Sequence, residues 1–178
     1  MSNKFVKKSK FLSLVLRHKP EAIGISLDNN GYAFVKDILK GLDISQYELD
    51  YIVANDNKKR YSYNQDKTKI RANQGHSINV DLEFKEKQPP DILYHGTSTK
   101  VINKIFEEGI MKMNRQYVHL SFDYDTAVKV GERHGNPVVL EINSKLMYEK
   151  GIKFFISENG VWLTEYVSPE YIQIKKVD

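Results

Sequence analysis

The hydrophobic pattern predicts three helices in the first third of the chain, because apolar residues return every three or four positions there. The first covers residues 4–18, with lysines mostly off an apolar face made of Phe11, Leu12, Val15 and Leu16. The second surrounds Ile38 and ends near Gly41. Ser45 and Glu48 have the spacing of a capping box, which predicts the start of a third helix.

Short alternating patterns in the same region predict strands. Residues 23–27 alternate before a turn at 28–31, and residues 60–63 and 69–72 form a pair around a polar turn. Three helices followed by a basic hairpin are the layout of a winged-helix module, which commonly binds nucleic acid. A layout does not establish a function.

The second half of the chain is dominated by short strand patterns. They fall at residues 92–95, 117–121, 138–142, 153–156, 161–165 and 171–175, with helices predicted over 98–108 and 124–133. Asn159-Gly160 predicts a hairpin turn, and Trp162 is expected in the core. Residues 85–91 are charged and then carry two prolines, which predicts a linker. The fold class is therefore α+β, dominated by sheet.

Charge is distributed unevenly along the chain. The protein has 178 residues and a net charge of +4. Residues 1–20 carry +6 and residues 58–76 carry +5, whereas residues 21–57 carry −5 and residues 77–178 carry −2. This distribution excludes a uniformly basic coat. If the two basic blocks meet in the fold, they form one focused anion site.

Composition excludes several classes of protein. There are no cysteines, so disulfides, thiolate zinc sites and a cysteine nucleophile are excluded. The five histidines lack His-x-x-x-His spacing, and we expect no metal site. No apolar run approaches the ~20 residues of a membrane span. We expect a soluble cytoplasmic protein and a monomer.

Four basic side chains are candidates for binding phosphate: Arg17, His18, Arg71 and Arg133. Pro20 disfavours helix just before it, so the first two fall in the last helical turn or just past it. The forked guanidinium suits phosphate, and converging arginines can stabilise the charge of a transition state. Each residue also has a structural alternative. The first two could simply cap a helix, Arg71 could touch nucleic-acid backbone, and Arg133 could be a solvated helix position.

A second group surrounds His95-Gly96-Thr97, where the pattern predicts a strand running into a helix. The glycine permits close approach of backbone, and the threonine could cap the helix or bind a ligand hydroxyl. Backbone N–H groups at a helix start favour an anionic ligand such as a pyrophosphate. His119 and Ser121 share one face of the next predicted strand, where an ordinary strand end is the alternative.

Taken in order, these motifs resemble the RNA 2′-phosphotransferases, which remove a splice-junction 2′-phosphate from RNA using NAD. The matching stretches run through nearly the whole chain: SKFLSLVLRH (9–18), PE (20–21), IG (23–24), IRANQGHS (70–77), LYHGT (93–97), HLS (119–121), VGERHG (130–135) and NGVWLT (159–164). Each stretch is short, but the set in this order is highly specific.

The resemblance implies two lobes with catalysis in the cleft between them. Residues 1–86 would form a winged-helix-like lobe that handles RNA, and residues 91–178 an ADP-ribosyltransferase-like lobe, built on antiparallel sheets, that holds NAD. It also implies a reaction in two steps. The RNA 2′-phosphate displaces nicotinamide to give a 2′-phospho-ADP-ribosylated RNA, and the ribose 2″-hydroxyl then attacks the phosphate. The products would be 2′-hydroxyl RNA and ADP-ribose 1″-2″-cyclic phosphate.

The resemblance also implies roles for residues. The family's Arg-His-Arg-Arg catalytic set maps onto Arg17, His18, Arg71 and Arg133. His18 could donate to the phosphate or carry a proton, and the sequence leaves both roles open. Residues implied in NAD binding are His95, Gly96, Thr97, His119, Ser121, Gly131 and Val161. Related transferases often use a triad ending in glutamate. Val161 takes that third position here, with Glu158 as the alternative.

Two competing functions differ from this expectation. An ADP-ribosyltransferase acting on terminal phosphates of nucleic acid would stop after the first step and leave a stable adduct. A non-catalytic winged-helix protein would bind nucleic acid in a salt-dependent manner without releasing nicotinamide. A protein that only binds nucleic acid needs neither the His95-Gly96-Thr97 motif nor the distant Arg133, which argues against the second alternative.

Overall fold

The computed structural model describes residues 3–175. The contacts divide the chain into two compact units, with the boundary between Glu83 and Phe84. Each unit has its own hydrophobic core. The first two residues of the predicted first lobe (1–2) and the last three of the predicted second lobe (176–178) lie outside the described residues.

The first unit packs three helices against a three-stranded sheet. The helices are α1 (Asn3–Arg17), α2 (Val35–Leu42) and α3 (Gln46–Ala54). The strands are β1 (Tyr32–Phe34), β2 (Tyr61–Tyr63) and β3 (Lys69–Ala72). All pairs are antiparallel in the order β1-β3-β2. The three predicted helices and the hairpin are confirmed, and both hydrogen bonds of the capping box at Ser45 and Glu48 are present.

Two details of the first unit were predicted wrongly. Residues 24–27 have no regular structure, because Pro20 starts a short 3-10 helix (Pro20–Ile23) that Gly24 ends with a φ of +68°. Phe11 is 39% exposed and does not join the core, unlike Leu12, Val15 and Leu16. Strand β1 was missed, because its three residues lead directly into α2 and leave no room for a recognisable alternation.

The sheet of the first unit has two unlike faces. Ala33, Ile70 and Ala72 are buried against the helices. The alternate positions form what we call the outer sheet face: Tyr32, Phe34, Lys69 and Arg71. Helix α1 covers the core side through Leu12, Val15 and Leu16, which are fully buried. That packing fixes where the helix ends, at Arg17.

The second unit is built mainly from short antiparallel strands. Its strands are β4 (Leu93–Ser98), β5 (Ile110–Met111), β6 (Val118–Leu120), β7 (Pro137–Ile142), β8 (Phe155–Ile156), β9 (Trp162–Thr164), β10 (Tyr166–Val167) and β11 (Ile172–Ile174). The helices are α4 (Ile102–Glu108), α5 (Tyr124–Gly131) and α6 (Ser144–Glu149), with 3-10 helices at Thr99–Val101, Glu132–His134 and Pro169–Tyr171.

These strands form two three-stranded sheets, β11-β7-β4 and β6-β9-β8, and the small pair β10-β5. A bridge between Tyr94 and Ser121 links the first two sheets. The α+β class is confirmed, as are the buried Trp162 and the turn at Asn159-Gly160. Strands β5 and β10 were missed because two residues carry no period, and α6 because Ser144–Glu149 is little more than one turn.

The segment predicted as a linker packs on the second unit. Glu86 bridges to Phe155, and the Lys87 N–H donates to the Phe154 carbonyl at 2.9 Å. The Ser144 hydroxyl donates to the Pro90 carbonyl at 2.7 Å. Residues 86–90 are therefore held by hydrogen bonds despite their linker-like composition.

Two glycines let α5 lie directly on β4. A Cβ at Gly96 would stand 1.8 Å from the Ala127 carbonyl oxygen, and a Cβ at Gly131 would stand 2.6 Å from the Thr97 carbonyl oxygen. Only glycine fits this contact, which we call the glycine seam. The seam holds α5 against β4, and α5 leads directly into the 3-10 helix Glu132–His134.

No helix among residues 3–175 is long and apolar enough to cross a membrane.

Candidate active site

The loop after β3 folds over the end of α1. The Ser77 N–H donates to the Arg17 carbonyl at 3.0 Å, and the Ser77 hydroxyl lies 2.9 Å from His18 Nδ1. Gly75 has a φ of +88°, and a Cβ there would lie 3.8 Å from the Arg17 guanidinium carbon. Residues 70–77, distant from Arg17 in sequence, thus lie against it in the structure.

Arg71 lies on β3, in register with Tyr32 on β1. Its guanidinium carbon is 4.7 Å from the centre of the Tyr32 ring, a cation–π distance. Its Nη1 donates to the Asn30 carbonyl at 3.4 Å. The strand, the ring and the turn before β1 therefore all help to position this arginine.

His76 interacts electrostatically with these residues, although it is not among the predicted catalytic residues. The side chain is 1% exposed. Burial, and then the positive charges of Arg17, His18 and Arg71, lower the pKa of His76 to about 4. The imidazole is therefore neutral at pH 7. Its Nε2 would lie 3.4 Å from a Cβ at Gly31, so the turn before β1 closes behind it.

We call Arg17, His18, Arg71 and His76 the basic cluster. Three of the four predicted catalytic residues lie in it, which is the meeting of the two basic blocks that the charge pattern anticipated. Arg133 belongs to the second unit, where it is exposed in the 3-10 helix Glu132–His134 that follows α5.

His95 is held in one tautomer. Its Nδ1 lies 3.2 Å from the His119 carbonyl oxygen, and a carbonyl can only accept, so Nδ1 donates. Burial lowers the pKa of His95, and the charges of His134 and Arg115 lower it further. The ring is therefore neutral at pH 7, with Nε2 as an acceptor.

His119 is held in the other tautomer. Arg115 Nη1 lies 3.1 Å from His119 Nδ1. A guanidinium can only donate, so Nδ1 accepts and the neutral ring carries its proton on Nε2. The sequence does not identify Arg115, because its contact with His119 forms only when the turn before β6 folds. We call His95 and His119 the histidine pair: one presents an acceptor and the other a donor.

The other predicted NAD-binding residues lie in the same unit. Gly96 and Gly131 form the glycine seam. Ser121 exchanges two backbone hydrogen bonds with Tyr94, at 2.9 and 2.7 Å. Val161 is half-buried and closes the turn that begins at Ser157, whose N–H donates to its carbonyl at 3.0 Å. Glu158 is exposed in that turn.

The prediction that a strand runs through His95-Gly96-Thr97 into a helix is confirmed, but the helix begins later than the capping role of Thr97 requires. Strand β4 continues to Ser98, paired residue by residue with β7, and the 3-10 helix Thr99–Val101 and α4 follow it. Thr97 is buried inside the strand and caps no helix. The backbone N–H groups of this motif therefore do not form a helix N-terminus. Within residues 3–175 no three His, Asp or Glu side chains are grouped as metal ligands.

The two groups define a class of protein. Converging arginines beside a neutral, buried histidine are suited to a phosphate ligand, and a tautomer-fixed histidine pair is suited to uncharged donors and acceptors. A family model described as RNA 2'-phosphotransferase, Tpt1 / KptA family, matches residues 3–166. The chain belongs to this family.

Similar proteins cover nearly the whole chain. A protein of Flavobacterium johnsoniae named "Probable RNA 2'-phosphotransferase" is 55% identical over 172 residues, covering 94% of both chains. One of Fusobacterium nucleatum with the same name is 52% identical, covering 94% of this chain and 97% of its own. Another, from Escherichia coli O6:K15:H31, is 48% identical and covers 93% of both.

Proposed function

We propose that this protein removes an internal 2′-phosphate from RNA, with NAD as co-substrate. The products are 2′-hydroxyl RNA, ADP-ribose 1″-2″-cyclic phosphate and nicotinamide, formed through a 2′-phospho-ADP-ribosylated RNA. Membership of the family supports the phosphotransfer. The observation that carries the proposal is the convergence of Arg17, His18 and Arg71 on one buried point.

In this proposal the basic cluster binds the 2′-phosphate. A phosphate is already anionic at neutral pH, so it can act as a nucleophile without a carboxylate base. Arg17 and Arg71 neutralise the charge that builds as the phosphate is transferred, and donors of this kind each contribute ~3–4 kcal/mol. Ser77 can donate or accept, so it holds His18 in place in either protonation state. Arg133, on the second unit, takes the role of the fourth catalytic residue.

The histidine pair has the donor and acceptor set that a nicotinamide ribose needs. NAD supplies an electrophilic ribose carbon and a leaving group. His95 Nε2 is oriented by the His119 carbonyl as an acceptor for a ribose hydroxyl. His119 Nε2 is oriented by Arg115 as a donor. Thr97, Ser121 and Val161 complete the binding set.

The proposal gives the two units different tasks. The three helices and hairpin of the first unit support a winged-helix-like RNA lobe over residues 1–86. The two linked three-stranded sheets of the second unit support an ADP-ribosyltransferase-like lobe over residues 91–178. Gly96 and Gly131 act in it by packing, through the glycine seam.

The test is incubation with NAD and an oligonucleotide carrying one internal 2′-phosphate, followed by mass spectrometry of both products. We expect a 2′-hydroxyl oligonucleotide together with ADP-ribose 1″-2″-cyclic phosphate. The same oligonucleotide without NAD is the control and should stay unchanged. A stable ADP-ribosylated oligonucleotide would instead indicate a transferase that stops after the first step. Unchanged oligonucleotide would contradict the proposal.

A further inference from the structure

The outer sheet face places an exposed aromatic ring next to the basic cluster. Phe34 and Tyr32 lie on the same side of β1, and they pair with Lys69 and Arg71 on β3. Successive positions on one side of a strand are ~6.6 Å apart. Arg71, which belongs to the basic cluster, is therefore the diagonal neighbour of Phe34 on the adjacent strand, at ~7–8 Å.

Phe34 is a large apolar side chain on the surface of this unit. It is 49% exposed, and it does not pack against the hydrophobic core. Two ammonium groups lie over its ring, Lys36 Nζ at 5.4 Å and Lys69 Nζ at 5.2 Å from the centroid, which are cation–π distances. The Asp28 carboxylate forms a salt bridge with Lys69 Nζ at 2.9 Å.

A single exposed aromatic residue is common and indicates nothing alone. Here the ring continues a row of alternating aromatic and cationic groups that ends at a catalytic arginine. Sites for single-stranded nucleic acid combine these elements, because bases stack on aromatic faces while cations attract the backbone. The charges on this face are complementary to RNA and favour it over an uncharged or cationic partner.

We propose that Phe34 is a stacking platform for the base of a nucleotide adjacent to the 2′-phosphate in single-stranded RNA. Lys36 and Lys69 contact the neighbouring backbone phosphates, while Arg71 binds the 2′-phosphate itself. This inference rests on the proposed function for the identity of the substrate. It adds that the flanking nucleotide, besides the phosphate, determines how tightly RNA is bound.

Fluorescence anisotropy tests the platform without catalysis. The probe is a labelled single-stranded RNA with one internal 2′-phosphate, in the absence of NAD. We expect Phe34→Ala to weaken binding about tenfold, within the range of one lost stacked base, and Phe34→Trp to retain it. Tyr47→Ala is the matched control, since Tyr47 is 75% exposed in the same unit but lies on α3, and it should not change the affinity. Equal affinities for wild type and Phe34→Ala would overturn the proposal.

Abasic probes identify the stacked nucleotide. Removing the base on one side of the 2′-phosphate should weaken wild-type binding by the same factor as Phe34→Ala. Phe34→Ala should then bind the abasic probe no more weakly than it binds the intact probe. Additive losses on both sides would refute stacking on Phe34.

Kinetics then separate this inference from the proposed function. An active wild type whose KM for RNA is unchanged by Phe34→Ala would refute the platform and leave the phosphotransferase intact. A wild type that shows the stacking effects but releases no 2′-phosphate with NAD would refute the function and leave the platform.

Discussion

The basic cluster and the histidine pair each contain a buried, neutral histidine, but its hydrogen-bonding and charged neighbours differ. In the first unit, burial is the main cause of the lowered pKa of His76, and the positive charges of Arg17, His18 and Arg71 lower it further. In the second, burial is again the main cause of the lowered pKa of His95, but the ring is hydrogen-bonded to a backbone carbonyl that fixes its tautomer. The cluster concentrates positive charge around a ring that adds none, whereas the pair contributes only uncharged hydrogen-bonding groups.

Under the proposed function, this difference lets one small protein distinguish two anionic substrates. A cluster of guanidinium groups recognises charge and the fork geometry of phosphate. A tautomer-fixed pair recognises hydroxyl and amide groups by their donor and acceptor pattern. The proposed function therefore predicts that changes in the two regions affect different kinetic parameters.

The largest expected effect is on phosphate transfer by the cluster. Arg17→Ala, Arg71→Ala and Arg133→Ala should each lower the rate of 2′-phosphate release about 10²–10³-fold, because a donor to transition-state charge is lost. The assay measures product under saturating RNA and NAD. Lys40→Ala, an exposed lysine on α2, is the control and should be near wild type. Near-normal rates in all three arginine variants would refute the mechanism.

Alanine substitutions at Gly96 and Gly75 compare how tightly the backbone is packed beside the histidine pair and beside the basic cluster. Gly96→Ala places a methyl group 1.8 Å from a backbone oxygen and should cost about 3 kcal/mol of unfolding free energy or more. At Gly75 the added methyl group has room, but the positive φ of this position is unfavourable for alanine. Gly75→Ala should therefore lower the free energy of unfolding by about 1–2 kcal/mol. Urea denaturation measures both. Equal costs would contradict the tight packing of α5 on β4.

The lowered pKa values of His76 and His95 predict that the folded protein loses stability in acid. Because the pKa of His76 is about 4 in the folded protein and ~6.5 when unfolded, the unfolded state binds more protons between these values. Its contribution to stability is complete above pH 6.5 and is lost as pH falls towards 4. Between pH 7 and pH 5 the loss should be about 2 kcal/mol.

The check is the pH dependence of urea denaturation in wild type and His76→Gln. The variant should lose less stability than wild type on acidification, whatever its stability at pH 7. His95→Gln should flatten the profile in the same direction, since the pKa of His95 is also lowered. Parallel profiles for wild type and His76→Gln would show that His76 is not held neutral.

The smallest expected effect concerns the pair. His95→Ala should raise the KM for NAD about tenfold, as expected for one lost hydrogen bond to a hydroxyl, and should leave the KM for RNA nearly unchanged. Initial rates at varied NAD and fixed RNA, and the reverse, measure this. A variant with unaltered NAD dependence would remove His95 from the NAD site.

Local rules predicted much of this structure from sequence. The end of α1 near Arg17 and the capping box at Ser45 depend on neighbouring residues, and both are confirmed. The strand predicted at residues 92–95 continues to Ser98, because its pairing with β7 is formed by residues far along the chain. For the same reason the sequence does not predict the close packing of Gly96 against the Ala127 carbonyl.

The candidate site shows the same limit. The charge blocks located Arg17, His18 and Arg71, and these residues do meet. The pattern of apolar and polar residues does not predict that His76 lies in the cluster. Its place there depends on burial and on how the loop folds over α1. The one available signal was its position in Gly75-His76-Ser77, close after Arg71.

The glycine seam has a genetic consequence. Most overpacked core substitutions can be rescued by shrinking a neighbouring side chain. A Cβ at Gly96 would instead meet the Ala127 carbonyl and the Gly131 nitrogen, which no substitution can remove. A selection for second-site suppressors of Gly96→Ala should therefore return true revertants, and no compensating side-chain change at a contacting position.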